Sequence, residues 1–185
     1  QESRSLVHSY RSEFDAIIIG GNTLRKDNPI LTTRGLKTPE PLRVVFTKTL
    51  DLPRTSKLWD CNKAKTIVVY DSSSANEKFL DRIPECVEVE KLETDNPNLL
   101  SKLLAKRGCN KVLWECGPLL ATSAIKSGCI QEIKAFIAPK ILGGRNSMNP
   151  LGDFEFRGMH EIINLSNSQV SFVGNDICFN SSLKN

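Results

Sequence analysis

A carboxylate at the end of an apolar run, two residues before a Gly-Pro step, is the feature of this chain best placed to do chemistry. Glu115 follows Val112-Leu-Trp114, which reads as a short buried strand, and Gly117-Pro118 then turns the chain into a helix. Proline suits a first helical position because its missing N–H would be unpaired there anyway. Leu119, Leu120 and Ile125 give that helix an apolar side, and Gly128 stops it. The unpaired N–H groups of such a helix start attract anions. In open α/β sheets, ligands gather at the carboxyl ends of strands. The stretch from Lys111 to Gly128 therefore sets a carboxylate beside a phosphate cradle. Taken alone, most strand–glycine–helix steps are only junctions.

The rest of the chain supplies elements to hold that stretch. Gln1 to Glu13 reads as the tail of an amphipathic helix, with Leu6, Val7 and Tyr10 on one side and Arg4, His8 and Arg11 around them. Phe14 to Ile19 is a continuous apolar strand of the kind buried on both faces of a parallel sheet. Gly20-Gly-Asn-Thr23 breaks it, and Leu24 to Asn28 makes one helical turn with Asn22 as its cap. Leu31-Thr-Thr-Arg34 is extended, and strands follow at Arg43–Thr47 and Lys65–Tyr70. Ala75 to Arg82 is a weak helix, and Cys86–Val89 a short strand. Asn96 caps a clear helix whose stripe is Leu99, Leu100, Leu103 and Leu104, ended by Gly108.

After Gly128 the pattern changes. Glu132–Ala138 is a strand, and Pro139–Gly158 a long loop that contains Gly143-Gly-Arg145. Glu161–Leu165, Gln169–Val173 and Asp176–Phe179 read as closing strands, with a tight turn at Gly174-Asn175. The expectation is an α/β domain with a mixed, mostly parallel sheet, flanking helices and antiparallel closing strands.

Composition narrows the function. The 185 residues fit one domain, at roughly 100–200 residues per domain. The net charge of +4 suits a small anionic ligand better than a nucleic-acid track, and 6% aromatic residues leave little for base stacking. No apolar run approaches the roughly 20 residues of a membrane span. No signal or transit peptide is visible in a chain that starts inside an element; the expected location is the cytoplasm, with the plastid the expectation for a plant source. The six cysteines form no C-x-x-C pair, and with only two histidines a metal site is not expected. All six thiols are expected to be free. The G-x-G-x-x-G, P-loop, zinc-deaminase and G-x-S-x-G patterns are absent.

Three segments together resemble one family. Phe14-Asp-Ala-Ile-Ile-Ile-Gly-Gly-Asn-Thr-Leu-Arg-Lys-Asp-Asn-Pro29 with Leu31-Thr-Thr-Arg34, then Val112-Leu-Trp-Glu-Cys-Gly-Pro118, then Ala138-Pro-Lys-Ile-Leu-Gly-Gly144 are similar, in that order, to motifs of the riboflavin-biosynthesis pyrimidine reductases. These are the C-terminal domains of RibD-type deaminase-reductases. The resemblance implies a dihydrofolate-reductase-like fold, a homodimer and NADPH as cofactor, and it leaves open whether a deaminase domain is joined upstream. It implies reduction of 5-amino-6-(5-phosphoribosylamino)uracil to its ribitylamino product.

Residue by residue, the resemblance makes Arg11, Leu31, Arg34 and Glu115 substrate-binding, the arginines on the phosphate, with Glu115 also the catalytic candidate. It makes Thr23, Asp27 and Gly117-Pro118-Leu119-Leu120-Ala121-Thr122-Ser123 cofactor-binding. Cys116 stands where the family usually has a second glycine, and a cofactor-contacting serine of the family falls at Lys48 or near Thr47. The family's first strand has no counterpart, so residues 1–185 are expected to form a single reductase domain lacking that strand. Two other readings remain: a dihydrofolate-reductase-like enzyme for another pterin or pyrimidine, and a non-catalytic ligand-binding domain.

Overall fold

The computed structural model describes residues 2–141, 143 and 149–183. Strands β1 (Ala16–Gly20), β2 (Leu42–Thr47), β3 (Thr66–Asp71), β4 (Glu88–Leu92) and β5 (Val112–Trp114) form a parallel sheet ordered β4-β3-β2-β1-β5. Strands β6 (Glu132–Ile137), β7 (Leu165–Val173) and β8 (Asp176–Leu183) form a separate antiparallel sheet ordered β6-β8-β7. Helices are α1 (Glu2–Ser12), α2 (Gly21–Asp27), α3 (Pro97–Lys106) and α4 (Pro118–Lys126). The expected mixed α/β architecture is present, with its antiparallel strands gathered in a sheet of their own.

Strand alternation divides the core in two. Ile17, Ile19, Val45, Val68 and Tyr70 pack on one face of the parallel sheet with Leu24, Leu31, Leu50, Leu52 and Leu58. Ala16, Ile18, Val44, Phe46, Ile67 and Val69 pack on the other with Leu100 and Leu104 of α3. Each fully buried aliphatic side chain stabilises by roughly 1.5–3 kcal/mol. This is why an unbroken isoleucine run suits a strand covered on both sides.

A fully buried cation interrupts the core. The Arg43 side chain is fully buried, and its Nη2 donates to the carbonyls of Leu58 (2.9 Å), Asp60 (2.9 Å) and Ala64 (2.6 Å), while Nη1 donates to Ile30 O (3.3 Å). Burial pulls its guanidinium below the ordinary arginine value. Arg43 thereby ties the backbone just before Leu31 to the segment that leads into β3.

Several expectations change. Cys61 and Cys86 form a disulfide, with Cα atoms 6.3 Å apart across 25 residues, so the six thiols are not all free. Nothing in the spacing signals this bond. It arises because both cysteines precede the amino ends of β3 and β4, which run side by side in register from Ile67 and Glu88. Among the described residues Cys109, Cys116, Cys129 and Cys178 are free.

The cap of α2 is Gly20, not Asn22. Asn22 lies inside the helix, where its side chain accepts from Arg25 Nη2. Glu161–Leu165 is not a strand. Met159–Glu161 is a 3-10 turn, with Ile162 N donating to Met159 O, and pairing begins at Leu165. From there β7 runs unbroken through a bulge between Ser166 and Gln169, where Asn167 takes a φ of 53°. Leu142 and Gly144-Arg145 of the predicted glycine loop lie outside the described residues.

Removing the buried guanidinium leaves four carbonyls without their donor. Arg43→Ala should therefore lower stability by about 3 kcal/mol or more in urea denaturation. A loss under about 1 kcal/mol would mean those carbonyls find other partners.

Candidate active site

The strand order places a switch beside β1. The chain leaves β1 through α2 toward β2 on one side, and returns through α3 to β5 on the other. Carboxyl ends that flank such a switch form the crevice where α/β sheets bind ligands.

Two glycine junctions meet there. Gly117 caps α4 without any side-chain bond, and a Cβ placed on it would lie 3.7 Å from Thr23 Oγ1 of α2. Gly20 approaches Leu120 of α4 in the same way, at 3.6 Å. Gly21, the first residue of α2, is tighter: its Cβ would stand 2.6 Å from Thr47 Oγ1 and 3.2 Å from Thr47 Cβ at the end of β2. A β-branched threonine cannot swing aside, so the position requires glycine.

At the start of α4, Pro118 has no N–H, and the N–H groups of Leu119 and Leu120 find no acceptor among the described residues. Ala121 N already bonds Gly117 O. These donors suit the pyrophosphate of a dinucleotide. Thr122 is turned away: it is buried, and its Oγ1 accepts from Gly152 N at 2.8 Å. Leu119 is exposed, while Ala121 and Ser123 are half-buried. Asp27 ends α2 in solvent.

Glu115 lies next to this junction, its N–H bonded to Ile18 O of β1 at 2.9 Å. Arg11 at the end of α1 grips its carboxylate with both prongs of the fork, Nε to Oε1 at 2.7 Å and Nη2 to Oε2 at 2.8 Å. The side chains are only 12% and 23% exposed, so water screens the pair poorly. Arg11 Nη1 also donates to Thr32 O at 3.0 Å. His8 Nδ1 lies 3.3 Å from Arg11 Nη1 and 3.2 Å from Thr32 O, so it accepts from the arginine as the Nε2–H tautomer or donates to the carbonyl as the Nδ1–H tautomer.

Arg11 and Glu115, 104 residues apart in sequence, are thus brought into direct contact, and Arg11 anchors the Leu31–Arg34 segment as well. Leu31 is buried in the core with a φ of 54°. Arg34, at a φ of 57°, is exposed and has no ion pair or hydrogen bond among the described residues, with Glu115 or any other group. The sequence reading missed His8, whose one signal is its spacing of three residues before Arg11 on a helix. Burial pushes the Cys116 thiol up to about 12, so it is no nucleophile. Among the described residues no cluster of His, Cys, Asp or Glu could hold a metal.

The chain is similar to known proteins over almost its whole length. The family model of the RibD C-terminal domain matches residues 1–179. The chain is 42% identical over 179 residues to the riboflavin biosynthesis protein RibD of Synechocystis, covering 96% of this chain and 48% of that protein. It is 27% identical over 169 residues to a 2,5-diamino-6-ribosylamino-4(3H)-pyrimidinone 5′-phosphate reductase of Aquifex aeolicus, covering 89% of this chain and 75% of that one. Among solved structures, Acinetobacter baumannii RibD superposes with a TM-score of 0.81 at 22% identity, over 99% of this chain and 51% of that one. The mixed α/β fold of this domain is therefore a known architecture. The chain belongs to the RibD C-terminal domain family, and it spans about half the length of the RibD relative it matches.

The contact at Gly21 has a measurable consequence. Gly21→Ala should cost about 1–3 kcal/mol through overpacking against Thr47. Thr47→Ala in the same chain should recover most of that loss, since it removes the obstructing oxygen. Additive losses in a double-mutant cycle would show that the two residues do not collide.

Proposed function

We propose that this domain is an NADPH-dependent reductase that converts 5-amino-6-(5-phosphoribosylamino)uracil to its ribitylamino product in riboflavin biosynthesis. The observation that carries the reading is the meeting of Gly117 with Thr23, beside the Arg11–Glu115 pair, in a chain of this family. The name of the Aquifex relative, a phosphorylated ribosylamino-pyrimidinone reductase, supports the substrate class.

When bound, NADPH supplies the hydride that reduces C1′ of the sugar. The free N–H groups of Leu119 and Leu120 hold its pyrophosphate, with Thr23 and Asp27 of α2 alongside. Glu115 accepts from the ribose hydroxyls and stabilises positive charge as the sugar opens to its imine. Arg11 is the positioning residue for Glu115. Its fork fixes the carboxylate, and its bond to Thr32 O holds the loop that carries Arg34. The free guanidinium of Arg34 takes the 5′-phosphate, for which a planar fork is well matched. Leu31 packs beneath that loop and keeps its path rigid.

Two further features complete the reading. Ile133, Ala135 and Ile137 of β6, Val170 and Phe172 of β7, and Ile177 and Phe179 of β8 share one face of the antiparallel sheet. Ile137, Val170 and Phe172 are 55%, 64% and 75% exposed, an apolar surface that suits the interface of a homodimer. Strands β5 and β6 each pair on one side only among the described residues, and the free edge of β5 accepts the family's first strand.

Charge-assisted contacts of this kind contribute about 1.5–3 kcal/mol, or roughly ten- to a hundredfold in affinity. Arg34→Ala should weaken the phosphorylated substrate by that factor and leave its dephosphorylated analogue and NADPH nearly untouched. Glu115→Gln should lower kcat more than it weakens cofactor binding. Equal losses for both substrate forms in steady-state kinetics would remove Arg34 from the phosphate. For the dimer, Phe172→Asp should shift the molecular mass from two chains to one in light scattering, and a wild-type monomer at micromolar concentration would refute the interface.

A further inference from the structure

The loop that carries Arg34 is organised by one carboxylate. Glu40 is half-buried, and three donors converge on it: Thr33 N on Oε2 at 2.7 Å, Thr33 Oγ1 on Oε1 at 2.9 Å, and Gly35 N on Oε1 at 3.4 Å. Thr33 is fully buried, and its hydroxyl oxygen accepts from Lys37 N at 3.1 Å. Lys37 Nζ in turn donates to Phe14 O at 2.6 Å, just before β1, and lies 3.8 Å from Asp15 Oδ1. The Glu40 carboxylate thus bonds the residues on either side of Arg34, while the Arg34 side chain stays exposed.

That clasp holds a backbone that would not hold itself. Arg34 sits at a φ of 57° and Gly35 at a φ of 86°. A residue with a side chain is strained in this left-handed region, and it persists there only where its surroundings over-determine it. Backbone N–H groups about such a turn form a concavity suited to an anion, and here the Glu40 carboxylate fills it. From the other side Arg11 donates to Thr32 O, so the residue before Thr33 is fixed as well. An arginine on an ordered backbone gives up less freedom when it closes on a ligand.

We propose that Glu40 is a positioning residue for the substrate, fixing the Arg34 backbone so that the guanidinium meets the 5′-phosphate without rearrangement. This rests on the reading of Arg34 as the phosphate-binding arginine. The role depends on the carboxylate and not on shape alone. A neutral amide at position 40 would turn an N–H toward the N–H of Thr33 or of Gly35, donor against donor. The loop would then relax toward ordinary φ values. Phosphate recognition would fall while the chemistry at Glu115 continued.

The test is steady-state kinetics of the full-length protein with 5-amino-6-(5-phosphoribosylamino)uracil and with its dephosphorylated form, in Glu40→Gln, Arg34→Ala and the double variant. The readout is the ratio of kcat/KM for the two substrate forms. Glu40→Gln should lower that ratio about tenfold, through KM for the phosphorylated form, with kcat nearly unchanged. On the Arg34→Ala background it should lower the ratio no further. The Glu40 charge also favours the buried Arg43 guanidinium, so a lower melting temperature is expected as well. A purely structural role would reduce kcat/KM for both substrate forms equally, and that result overturns the proposal. Thr33→Val removes one of the three donors and keeps the shape. It should move the ratio the same way by a smaller factor, and it decides the matter if Glu40→Gln does not fold. A ratio lowered by Arg34→Ala and untouched by Glu40→Gln removes Glu40 and leaves Arg34 in place. A ratio untouched by Arg34→Ala, or no turnover by the wild-type protein, removes the reading of the site and this proposal with it.

Discussion

Everything in the parallel sheet depends on β1 being paired on both sides and covered on both faces. Ala16, Ile17, Ile18 and Ile19 have no solvent exposure, and their backbone meets β2 on one side and β5 on the other. A strand in that position has little freedom. Its two neighbours are fixed in register against it, so the residues that leave their carboxyl ends are fixed as well. Glu115 bonds the backbone of Ile18 directly. The position of the candidate catalytic carboxylate is thus set by a strand held on both edges and both faces.

Around this strand the site is built from pairs of elements that are remote in sequence. Gly21 lets the start of α2 lie against Thr47 at the end of β2, and a Cβ on Gly117 at the start of α4 would touch Thr23 of α2. Arg11 closes the arrangement from the end of α1, and its bond to Thr32 O brings the following loop under the same control. The resulting site combines fixed dipoles with a mostly buried ion pair. Preorganised groups of this kind need little rearrangement when charge develops on a substrate.

How much of this could be read from the residues varies with the range of the forces involved. The isoleucine run, the Gly-Pro helix start of α4 and the asparagine-capped leucine stripe of α3 are local patterns, and each is found where the pattern puts it. The likeness of three motifs to one family picked out Arg11 and Glu115 together. That they clasp each other was not legible, because the contact depends on where α1 ends relative to β5. The Cys61–Cys86 bond was hidden for a similar reason: the chain between two cysteines 25 positions apart carries no sign that β3 and β4 will lie side by side. Asn22 shows the opposite error. Asparagine caps helices often enough to suggest it, yet the tight contact at Gly21 starts the helix earlier.

Arg43 and the disulfide share an address. Both act at the amino ends of the parallel strands, Arg43 one residue into β2 and the cysteines just before β3 and β4. Glu115, Gly117 and Lys48 follow the carboxyl ends. The sheet therefore works as a spacer with a division of labour, fastening at one rim and chemistry at the other. Sequence change at Arg43 or the disulfide alters how firmly the domain holds together without touching the groups that face a ligand. Changes of specificity at the opposite rim leave the fastenings intact. A lineage of such domains can drift in durability and in ligand preference along two nearly independent axes.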